Sequence, residues 1–331
     1  MSNPKISIII LNYNGWQDTI ECLKSLLKVS NVGFEVILVD NSSSDGSVKE
    51  PVEWARFCEI PFFKFSGTHA RLVENTTERE TTGIQRMILF CLPENIGFGA
   101  ANNLGLRQAQ INGIPYAVIL NNDTIVEPDF LSPLLEYAEA NPSIGLLGCQ
   151  IRYTQDRDKV WWAGGWFNFW LGHKGFYGEK SSAQVPSTPY RTEWVTGCMT
   201  FIPLSIFSQI GGYDEQYFIL NEDSDLSLRV GRAGYKMMVV PSSVIYHKVG
   251  RSLGCMSSLR YYYSARNLLL LRSRYLPCWK WICFFVLYMP YKFLQVAYYI
   301  IRFRRPFWLP YWDSIRDFVF KRFGKWRRHY K

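Results

Sequence analysis

The sequence has few histidines and no paired cysteines, which argues against several common classes of metalloprotein and secreted protein. It has four histidines, and its eight cysteines are scattered without a C-x-x-C pair or metal-ligand spacing. We therefore expect the cysteines to be small buried hydrophobic residues in a reducing compartment. The N-terminus begins directly with a strand pattern rather than a secretory leader, so we expect the chain not to be exported.

The familiar phosphate-binding signatures are also missing. The chain contains neither G-x-x-x-x-G-K-[ST] nor G-x-G-x-x-G followed by a ribose-binding acid, which argues against an ATPase or a dinucleotide-binding enzyme. Its formal charge of +9 looks at first like a nucleic-acid signal. However, residues 302–331 carry ten Lys or Arg and two Asp or Glu, a net of +8, which leaves about +1 for the rest. We therefore expect an anionic membrane surface as the partner of this tail, and no nucleic acid.

Apolar runs alternate with amphipathic stretches over the first half of the chain. The predicted elements are strands at 6–11, 34–39 and 116–120 and helices at 18–28, 98–110 and 130–140. This β-α-β alternation predicts an α/β fold with an open, mostly parallel sheet flanked by helices. We place this domain at residues 1–275 and expect a loop-rich insertion at 51–85.

Short polar clusters follow three of the predicted strands. They are Asn12–Gly15, Asp40–Gly46 and Asn121–Thr124. Each alone is ordinary turn chemistry, but ligands of parallel sheets bind at the carboxyl ends of strands, so three clusters together indicate one site. A Gly-rich run, Glu94–Asn103, leads into a predicted helix and offers backbone N–H groups to an anion.

A second set of acids lies between a G-G-Y-D turn and a predicted helix. Glu222, Asp223 and Asp225 fall within four residues and repel one another, which suits a cation site or a base with a raised pKa. Helix chemistry is the simpler alternative, and an i,i+4 ion pair with Arg229 accounts for Asp225. Glu222 and Asp223 remain as candidates for chemistry.

Six motifs occur in order along the chain, and together they resemble one enzyme family. They are ISIIILNYNGWQDTIECLKSLL, VILVDNSSSDGS, ENIGFGAANNLG, AVILNNDT, GGYDEQYFILNEDSDLSLR and VIYHKVGRS. The chain resembles glycosyltransferase family 2, and most closely its rhamnosyltransferase-like branch, over roughly residues 5–275. The resemblance implies the GT-A fold and a nucleotide-diphosphate sugar as the donor substrate.

The resemblance also implies which residues bind the donor. At the matching positions, Asn14 and Asp40 would contact the nucleotide base and ribose. The other residues expected to line the donor pocket are Asn95, Gly97, Asn102 and Asn122.

Further residues match positions that bind metal or perform chemistry in the family. Asp123 would be the metal-binding acid of the D-x-D-type motif, holding Mg²⁺ or Mn²⁺, and His247 a further ligand. A turn aspartate and a packed histidine are the simpler alternatives for this pair. Asp223 would be the general base that deprotonates the acceptor hydroxyl, with Glu222 in support. Asn121 stands where D-x-D has its first acid, so we expect greater reliance on the donor phosphates.

The features above predict an inverting glycosyltransferase of the hexosyltransferase type that builds a surface polysaccharide or glycolipid. Rhamnose from a dTDP donor is the first choice implied by the branch, and a lipid-linked saccharide is the expected acceptor. A nucleotidyltransferase of similar fold is one alternative, although Asn12–Gly15 lacks the basic residue it would favour. A non-catalytic membrane-bound scaffold with a degenerate donor pocket is the other, and Asn121 favours it.

Residues 276–331 form a hydrophobic and aromatic segment followed by the basic tail, and we expect this part to be membrane-associated. Residues 281–301 are long enough to span a bilayer. Lys292 lies in the middle, Pro290 interrupts the stretch, and a span would export the basic tail, against the positive-inside tendency. We therefore expect peripheral or monotopic attachment to the cytoplasmic face of the cell membrane. A helix pair packed on the catalytic domain is the alternative.

Overall fold

A computed structural model describes residues 4–29, 31–67, 71–75, 83–168, 172–249, 257–303 and 308–327. The strands within these residues are β1 (Ile6–Asn12), β2 (Phe34–Asp40), β3 (Phe62–Ser66), β4 (Arg71–Asn75), β5 (Ile84–Cys91), β6 (Tyr116–Asn121), β7 (Thr124–Val126), β8 (Ile144–Tyr153), β9 (Val160–Trp162), β10 (Gly165–Asn168), β11 (Gly172–Gly175), β12 (Tyr190–Arg191), β13 (Met199–Pro203) and β14 (Lys236–His247). The helices are α1 (Trp16–Leu26), α2 (Lys49–Phe57), α3 (Phe98–Ile111), α4 (Ser132–Ala140), α5 (Leu204–Ile210), α6 (Glu222–Arg232), α7 (Ser258–Tyr275), α8 (Cys278–Phe303) and α9 (Trp308–Val319).

Twelve of these strands join one mixed sheet. Its order is β12-β14-β8-β13-β6-β1-β2-β5-β3-β4, with β7 added to β14 and β9 added to β8. The run β6-β1-β2-β5-β3 is parallel throughout, and β13 enters antiparallel between β6 and β8. The predicted mostly parallel α/β sheet is confirmed.

The central strands are buried on both faces because helices cover the sheet on each side. All seven residues of β2 are buried, and Ile8, Ile9 and Ile10 of β1 are fully inaccessible to solvent. Such strands have no polar face towards solvent, which is why they are mostly apolar in the sequence, with Ser7 and Glu35 as buried exceptions. Gly105 of α3 shows how closely a helix approaches, since a Cβ there would lie 2.5 Å from Ile9.

The expectation of a loop-rich insertion at 51–85 is wrong for the described residues of that range. Most of α2 lies within it, with Val52 and Ala55 buried, and β3 pairs in parallel with β5 and antiparallel with β4. Helix α2 and strand β3 are both short. Strand β3 is also mostly half-buried near the sheet edge, so its apolar pattern in the sequence is weak. Residues 68–70 and 76–82 lie outside the described residues.

The C-terminal helices pack back onto the α/β part of the chain. Helix α8 continues through Pro290, and its stretch Cys278–Arg302 is, among the described residues, the one long and apolar enough to cross a membrane. Helix α9 lies against α7, where the Tyr262 hydroxyl donates to Asp317 at 2.9 Å. The Trp326 ring stacks on Tyr262 with ring centres 4.4 Å apart. The boundary we placed at residue 275 stays a prediction.

Candidate active site at the carboxyl edge of the sheet

The carboxyl ends of four neighbouring parallel strands meet at one edge of the sheet. The register pairs Asn12 of β1 with Asp40 of β2, and Asp40 with Cys91 of β5. On the other side of β1, Leu11 pairs with Asn121 of β6. The polar clusters that follow β1, β2 and β6 are therefore adjacent in space, as the spacing of strands along the chain predicts.

A hydrogen-bonded core of amides and a carboxylate joins these strand ends. The Asn12 amide donates to Asp40 Oδ1 at 2.9 Å, and Asn12 Oδ1 accepts from the Asn122 amide at 3.2 Å and from the Thr19 hydroxyl at 2.9 Å. Asn12 and Asp40 are buried. The Asn122 amide also donates to the Gly15 carbonyl at 3.2 Å, so its donors hold the loops that surround the site.

Asn14 connects the loop after β1 to the loop after β2. Its Oδ1 accepts from the Ser44 N–H at 2.8 Å, and its own N–H donates to the Ser43 hydroxyl at 2.9 Å. The Ser43 N–H in turn donates to Asp40 Oδ2 at 3.0 Å. Asn14 has a φ of 51°, a left-handed conformation that asparagine tolerates better than most residues. Asn14 and Asp40 are thus two ends of one short network.

Asn41 and Asn95 fix the loop that leads into α3. The Asn41 amide donates to Asn95 Oδ1 at 3.0 Å, and Asn41 Oδ1 accepts from the Ile96 N–H at 2.9 Å. Asn95 Oδ1 also accepts from the Gly97 N–H. Gly97 has a φ of 91°, and a Cβ there would lie 2.6 Å from Phe218. Glycine is therefore required at this position both for its backbone conformation and for the close approach.

Asn102 lies deeper than the other predicted donor-binding residues, on the buried face of α3. Its amide donates to the Phe98 carbonyl one helical turn earlier at 2.9 Å. Its Oδ1 is buried and has no hydrogen-bond partner in this structure. Leaving a buried acceptor unpaired is unfavourable. Asn102 Oδ1 can therefore accept a hydrogen bond from one further donor group.

Asp123 and His247 form a close pair between β6 and the end of β14. His247 Nε2 lies 3.2 Å from Asp123 Oδ1, and both side chains are buried. β14 pairs with β7, which begins directly after Asp123, and the Lys248 N–H donates to the Asp123 carbonyl at 3.0 Å. The Trp161 and His247 rings pack in a T-shaped arrangement with centres 4.5 Å apart.

The geometry of this pair fits a divalent cation. Asp123 Oδ1 is buried, and apart from the contact with His247 Nε2 it has no hydrogen-bond partner in this structure. The 3.2 Å separation is close to the roughly 3.0 Å expected between adjacent ligands of an octahedral ion with bonds of about 2.0–2.1 Å. Among the described residues, no group of three or more His, Cys, Asp and Glu could hold a metal ion. A cation here would take its remaining ligands from substrate phosphates and water, as Mg²⁺ commonly does.

Glu222 and Asp223 begin α6 close to the same edge. Asp223 Oδ2 accepts from the Gly197 N–H at 3.2 Å, and the carbonyl of the next residue, Cys198, accepts from the Asn121 N–H at 2.9 Å. One short segment before β13 therefore links the acidic pair to the end of β6. Burial, reinforced by the charge of Asp223, raises the pKa of the Glu222 carboxyl to about 8.

Asp225 belongs to a separate, structural network on the far side of α6. It accepts hydrogen bonds from the Tyr275 hydroxyl at 2.9 Å and the Tyr217 hydroxyl at 3.2 Å, and pairs with Arg229 at 2.8 Å. The i,i+4 ion pair predicted from the spacing is confirmed. Its contacts join α6 to α7 and do not reach the strand ends.

Sequence reasoning gave no individual role to several residues that organise this site. Asn12 and Asn41 carry the central hydrogen bonds, and their signal was their position at the end of, or directly after, a buried strand. Lys248 lies beside the Asp123–His247 pair and donates to Asp18 and to Glu21 of α1, each at 2.6 Å. No sequence signal links residues 230 positions apart, so that contact needed the fold.

Comparison with protein families gives two matches. The family described as Glycosyl transferase family 2 matches residues 7–201, and the one described as Glycosyl transferase family group 2 matches residues 116–312. The first match covers more than half of the chain and contains all three strand-end clusters, including Asp123.

Several characterised proteins are similar to this chain over most of its length. The N-acetylglucosaminyl-diphospho-decaprenol L-rhamnosyltransferase of Mycobacterium tuberculosis is 26% identical over 273 residues, covering 75% of this chain and 78% of that protein. The dTDP-rhamnosyl transferase RfbF of Shigella flexneri is 25% identical over 211 residues, covering 61% of this chain and 69% of that protein.

Solved structures show the same fold at low sequence identity. GalNAc-T7 with UDP, GalNAc and Mn²⁺ superimposes with a TM-score of 0.58 and 17% identity, covering 80% of this chain and 47% of that one. The mannosyltransferase PcManGT of Pyrobaculum calidifontis, with GDP-Man and Mn²⁺, superimposes with a TM-score of 0.53 and 17% identity, covering 81% of this chain and 63% of that one. The GT-A fold predicted from the motifs is confirmed, and the family match sets aside the nucleotidyltransferase and scaffold alternatives. The chain belongs to glycosyltransferase family 2, and it is a glycosyltransferase.

Proposed function

We propose that this enzyme transfers a rhamnosyl group from dTDP-rhamnose to a hydroxyl of a lipid-linked saccharide, with inversion, at a membrane surface. The two rhamnosyltransferase relatives support the sugar, and the name of the mycobacterial relative supports a lipid-diphosphate acceptor. The product would enter a surface polysaccharide or glycolipid.

Asp123 and His247 would hold the divalent cation next to the donor diphosphate. A bound Mg²⁺ or Mn²⁺ would stabilise the negative charge that develops on the leaving nucleoside diphosphate. Asp123 is the only acid in the run Asn121-Asn122-Asp123, so this chain supplies few ligands itself. The donor phosphates would complete the coordination, and we expect cation and donor to bind cooperatively.

Asn14 and Asp40 would recognise the nucleoside of the donor. Asp40 and the loops after β1 and β2 form one hydrogen-bonded unit, so the unit is organised before the donor arrives. Gly97 keeps the loop before α3 in place, and the residues around it would line the pocket. Such preorganisation lowers the entropy cost of binding.

Asp223 would take the proton from the acceptor hydroxyl as it attacks the anomeric carbon. The Gly197 N–H fixes one carboxylate oxygen of Asp223 at 3.2 Å, which orients the group towards the segment that borders β6. Burial and the neighbouring charge of Asp223 raise the pKa of Glu222 to about 8, which favours the protonated form of Glu222. A single displacement with Asp223 as base inverts the anomeric centre.

The exposed face of α8 would place the enzyme at the membrane. Large apolar side chains at Ile282, Val286, Leu287 and Leu294 are each more than half exposed. Lys292 points the other way, with Nζ 5.4 Å from the centre of the Tyr261 ring on α7. The positive charge of Lys292, which would be costly to insert into lipid, thus lies on the side of the helix that packs on the protein. This arrangement favours a helix lying in the plane of one leaflet.

The observation that carries this proposal is the Asp123–His247 pair beside the strand-end network. A thermal-shift and calorimetry screen would test it, using dTDP-rhamnose, UDP-GlcNAc and GDP-mannose with and without Mn²⁺. We expect dTDP-rhamnose to stabilise the protein most, and only when Mn²⁺ or Mg²⁺ is present. Equal stabilisation by all three sugars, or by dTDP-rhamnose in the presence of chelator, would contradict the proposal.

A further inference from the structure

The loop that leads into the acidic pair, Glu222 and Asp223, has an unusual backbone. This loop, residues 216–221, begins within the 3₁₀ turn Glu215–Tyr217 and ends just before Glu222 at the start of α6. Phe218, Leu220 and Asn221 all have positive φ, at 63°, 70° and 71°. Left-handed conformations are disfavoured for bulky side chains and persist only where the surroundings enforce them. Something outside this loop must therefore hold it.

The Asn267 side chain on α7 provides one part of that support. Its amide nitrogen lies within hydrogen-bond distance of three loop carbonyls, those of Tyr217 at 2.8 Å, Ile219 at 2.7 Å and Leu220 at 2.7 Å. Asn267 is completely buried. Asn267 thus supplies a donor to the Ile219 and Leu220 carbonyls, and unpaired buried carbonyls are strongly disfavoured.

The neighbouring Arg266 provides the other part. It is also completely buried, and it donates to the carbonyls of Gln216 at 3.0 Å and Tyr217 at 2.9 Å. It donates to Asn267 Oδ1 at 2.8 Å as well, which fixes the orientation of that amide. The two adjacent side chains thus act as one unit against a single face of the loop.

The opposite face of the loop contacts the donor side of the site. The Phe98 N–H donates to the Phe218 carbonyl at 2.6 Å, directly after Gly97, whose missing Cβ leaves room for Phe218. The Phe218 ring stacks on Tyr263 of α7 with centres 5.1 Å apart. The loop is therefore held between α7 and the residues that begin α3.

The C-terminal segment closes the same network. Arg266 donates to the Gly324 carbonyl at 2.7 Å, and the Gly324 N–H donates to the Gln216 carbonyl at 2.9 Å. Trp326 follows, with its N–H donating to the Tyr263 hydroxyl at 2.8 Å. Residues that come after the membrane-facing helix in sequence thus bind both the loop and the arginine that supports it.

We propose that Arg266 and Asn267 are positioning residues that hold loop 216–221, and with it Asp223, in the geometry needed for transfer. This inference rests on the proposed role of Asp223 as the base. Gly324 completes the support, which connects the C-terminal segment to the active site. The loop does not bind the donor nucleoside in this scheme, so its release should lower the rate of transfer far more than the affinity for the donor.

The test compares Asn267→Ala with Leu269→Ala in the full-length protein. Leu269 is fully buried on the same helix but packs against Phe284 and Tyr288 of α8, away from the loop. Affinity for dTDP, kcat with dTDP-rhamnose and a lipid-diphospho-GlcNAc acceptor, and amide hydrogen exchange of residues 214–224 are measured for each. We expect Asn267→Ala to lower kcat by about 10- to 100-fold and to speed exchange in this loop, with dTDP affinity within about twofold. Leu269→Ala should keep kcat and loop exchange near wild type below its melting temperature.

Gly324→Pro provides a second variant in case Asn267→Ala does not fold. Proline removes the N–H that donates to Gln216 and cannot adopt the φ of +80° found at Gly324. We expect the same pattern with a smaller loss of kcat. A wild-type kcat and unchanged loop exchange in Gly324→Pro, or in a folded Asn267→Ala, would overturn the inference, as would an equal loss of kcat in Leu269→Ala.

Asp223→Asn, measured in the same assays, separates this inference from the proposed function. If Asp223→Asn transfers sugar at the wild-type rate, the role of Asp223 as base fails, and the positioning role fails with it. If Asp223→Asn is inactive while Asn267→Ala has a normal kcat, the positioning role alone fails. An inactive Asp223→Asn together with a slow, dTDP-binding Asn267→Ala supports both.

Discussion

Asp223 and Asp225 stand two residues apart on one helix but have different surroundings. Asp223 faces Gly197 near the strand ends, whereas Asp225 accepts from two tyrosine hydroxyls and pairs with Arg229. The two carboxylates therefore form a matched pair for mutagenesis, since the same change should affect chemistry at one position and stability at the other.

Asp223→Asn should lower kcat by about two to four orders of magnitude, because a general base contributes roughly this much. Donor affinity should stay within about twofold, since the base is needed only during chemistry. Asp225→Asn is the control, and it should lower the melting temperature while keeping kcat at temperatures well below it. Single-turnover transfer, calorimetry and thermal unfolding measure these quantities. Near-normal turnover in Asp223→Asn would remove it from the base role.

Asp123→Asn should abolish the dependence of donor binding on Mn²⁺ while leaving the fold intact. The carboxylate is the only anionic group of the Asp123–His247 pair, and an amide is a much weaker ligand for a hard cation. Calorimetric titration of dTDP with and without Mn²⁺ measures the effect, and Asp225→Asn again serves as control. An unchanged enhancement by Mn²⁺ in Asp123→Asn would contradict the metal assignment.

Glu222→Gln should change how stability depends on pH. Burial raises the pKa of Glu222 from 4.5 to about 8 in the folded state, so the unfolded chain loses this proton first as pH rises. The contribution to stability is complete below pH 4.5 and is lost as the pH rises from about 4.5 to about 8. Because glutamine does not titrate, the Glu222→Gln variant does not lose this stability as the pH rises. Urea unfolding at pH 5 to pH 8.5 measures the free energy of unfolding of both proteins. The value for Glu222→Gln should rise relative to that for wild type as the pH increases. Parallel pH profiles for the two proteins would contradict the raised pKa of Glu222.

At the scale of elements, α8 shows how one helix combines an apolar stretch with a charge. Its apolar side chains divide between an exposed face and a face packed on α7 and α9, where Phe284, Tyr288 and Val296 are buried. Lys292 lies on the packed side and donates to Gln295 at 2.7 Å. Such a division fits an in-plane helix better than a spanning one, because a spanning helix would meet lipid around most of its circumference.

The double variant Leu287→Glu/Leu294→Glu should release the enzyme from membranes. Both side chains are 67% exposed on α8, and each contributes about 1–3 kcal/mol when buried in lipid. Cosedimentation with vesicles containing anionic phosphatidylglycerol measures the partitioning, which should fall by at least about tenfold. Phe57→Glu/Ile111→Glu is the control, since Phe57 and Ile111 are exposed apolar residues outside α8. Equal loss of binding in both double variants would contradict a specific membrane face.

At the scale of the whole molecule, the path of the chain bears on its topology in the membrane. After α8, helix α9 packs on α7, and Gly324 and Trp326 contact Gln216, Arg266 and Tyr263 of the catalytic part. A chain that crossed the bilayer in α8 would place these residues on the opposite side and lose every one of these contacts. The packing therefore supports attachment without crossing.

A reporter fused after Lys331 should lie on the same, cytoplasmic side as the catalytic domain. Protease added from each side of sealed vesicles measures its location, with a reporter on a known spanning protein as the control. The basic residues of the tail add attraction of about 1 kcal/mol each near an anionic surface, so high salt should weaken attachment. A tail protected on the far side of the membrane would contradict this topology and make α8 a true span.

Several features of this protein followed from the sequence because they depend on local patterns. Apolar runs such as residues 6–11 predict doubly covered strands, and strand ends of a parallel sheet converge on one edge, so the site could be located before the fold was known. Helix α2 was missed because its nine residues are too few to give a clear helical period, and β3 was missed because most of its five residues are only half-buried.

The sequence by itself determined the parallel sheet, the family and the types of residue at the strand ends, since these follow from periodicity and from motifs contiguous in the chain. Only the tertiary structure decided which side chains meet: Asp123 with His247, Lys248 with Asp18, and Arg266 with both Gln216 and Gly324. These partners are separated by tens to hundreds of residues. Their contact depends on how sheet and helices pack, and no local pattern along the chain encodes that distance.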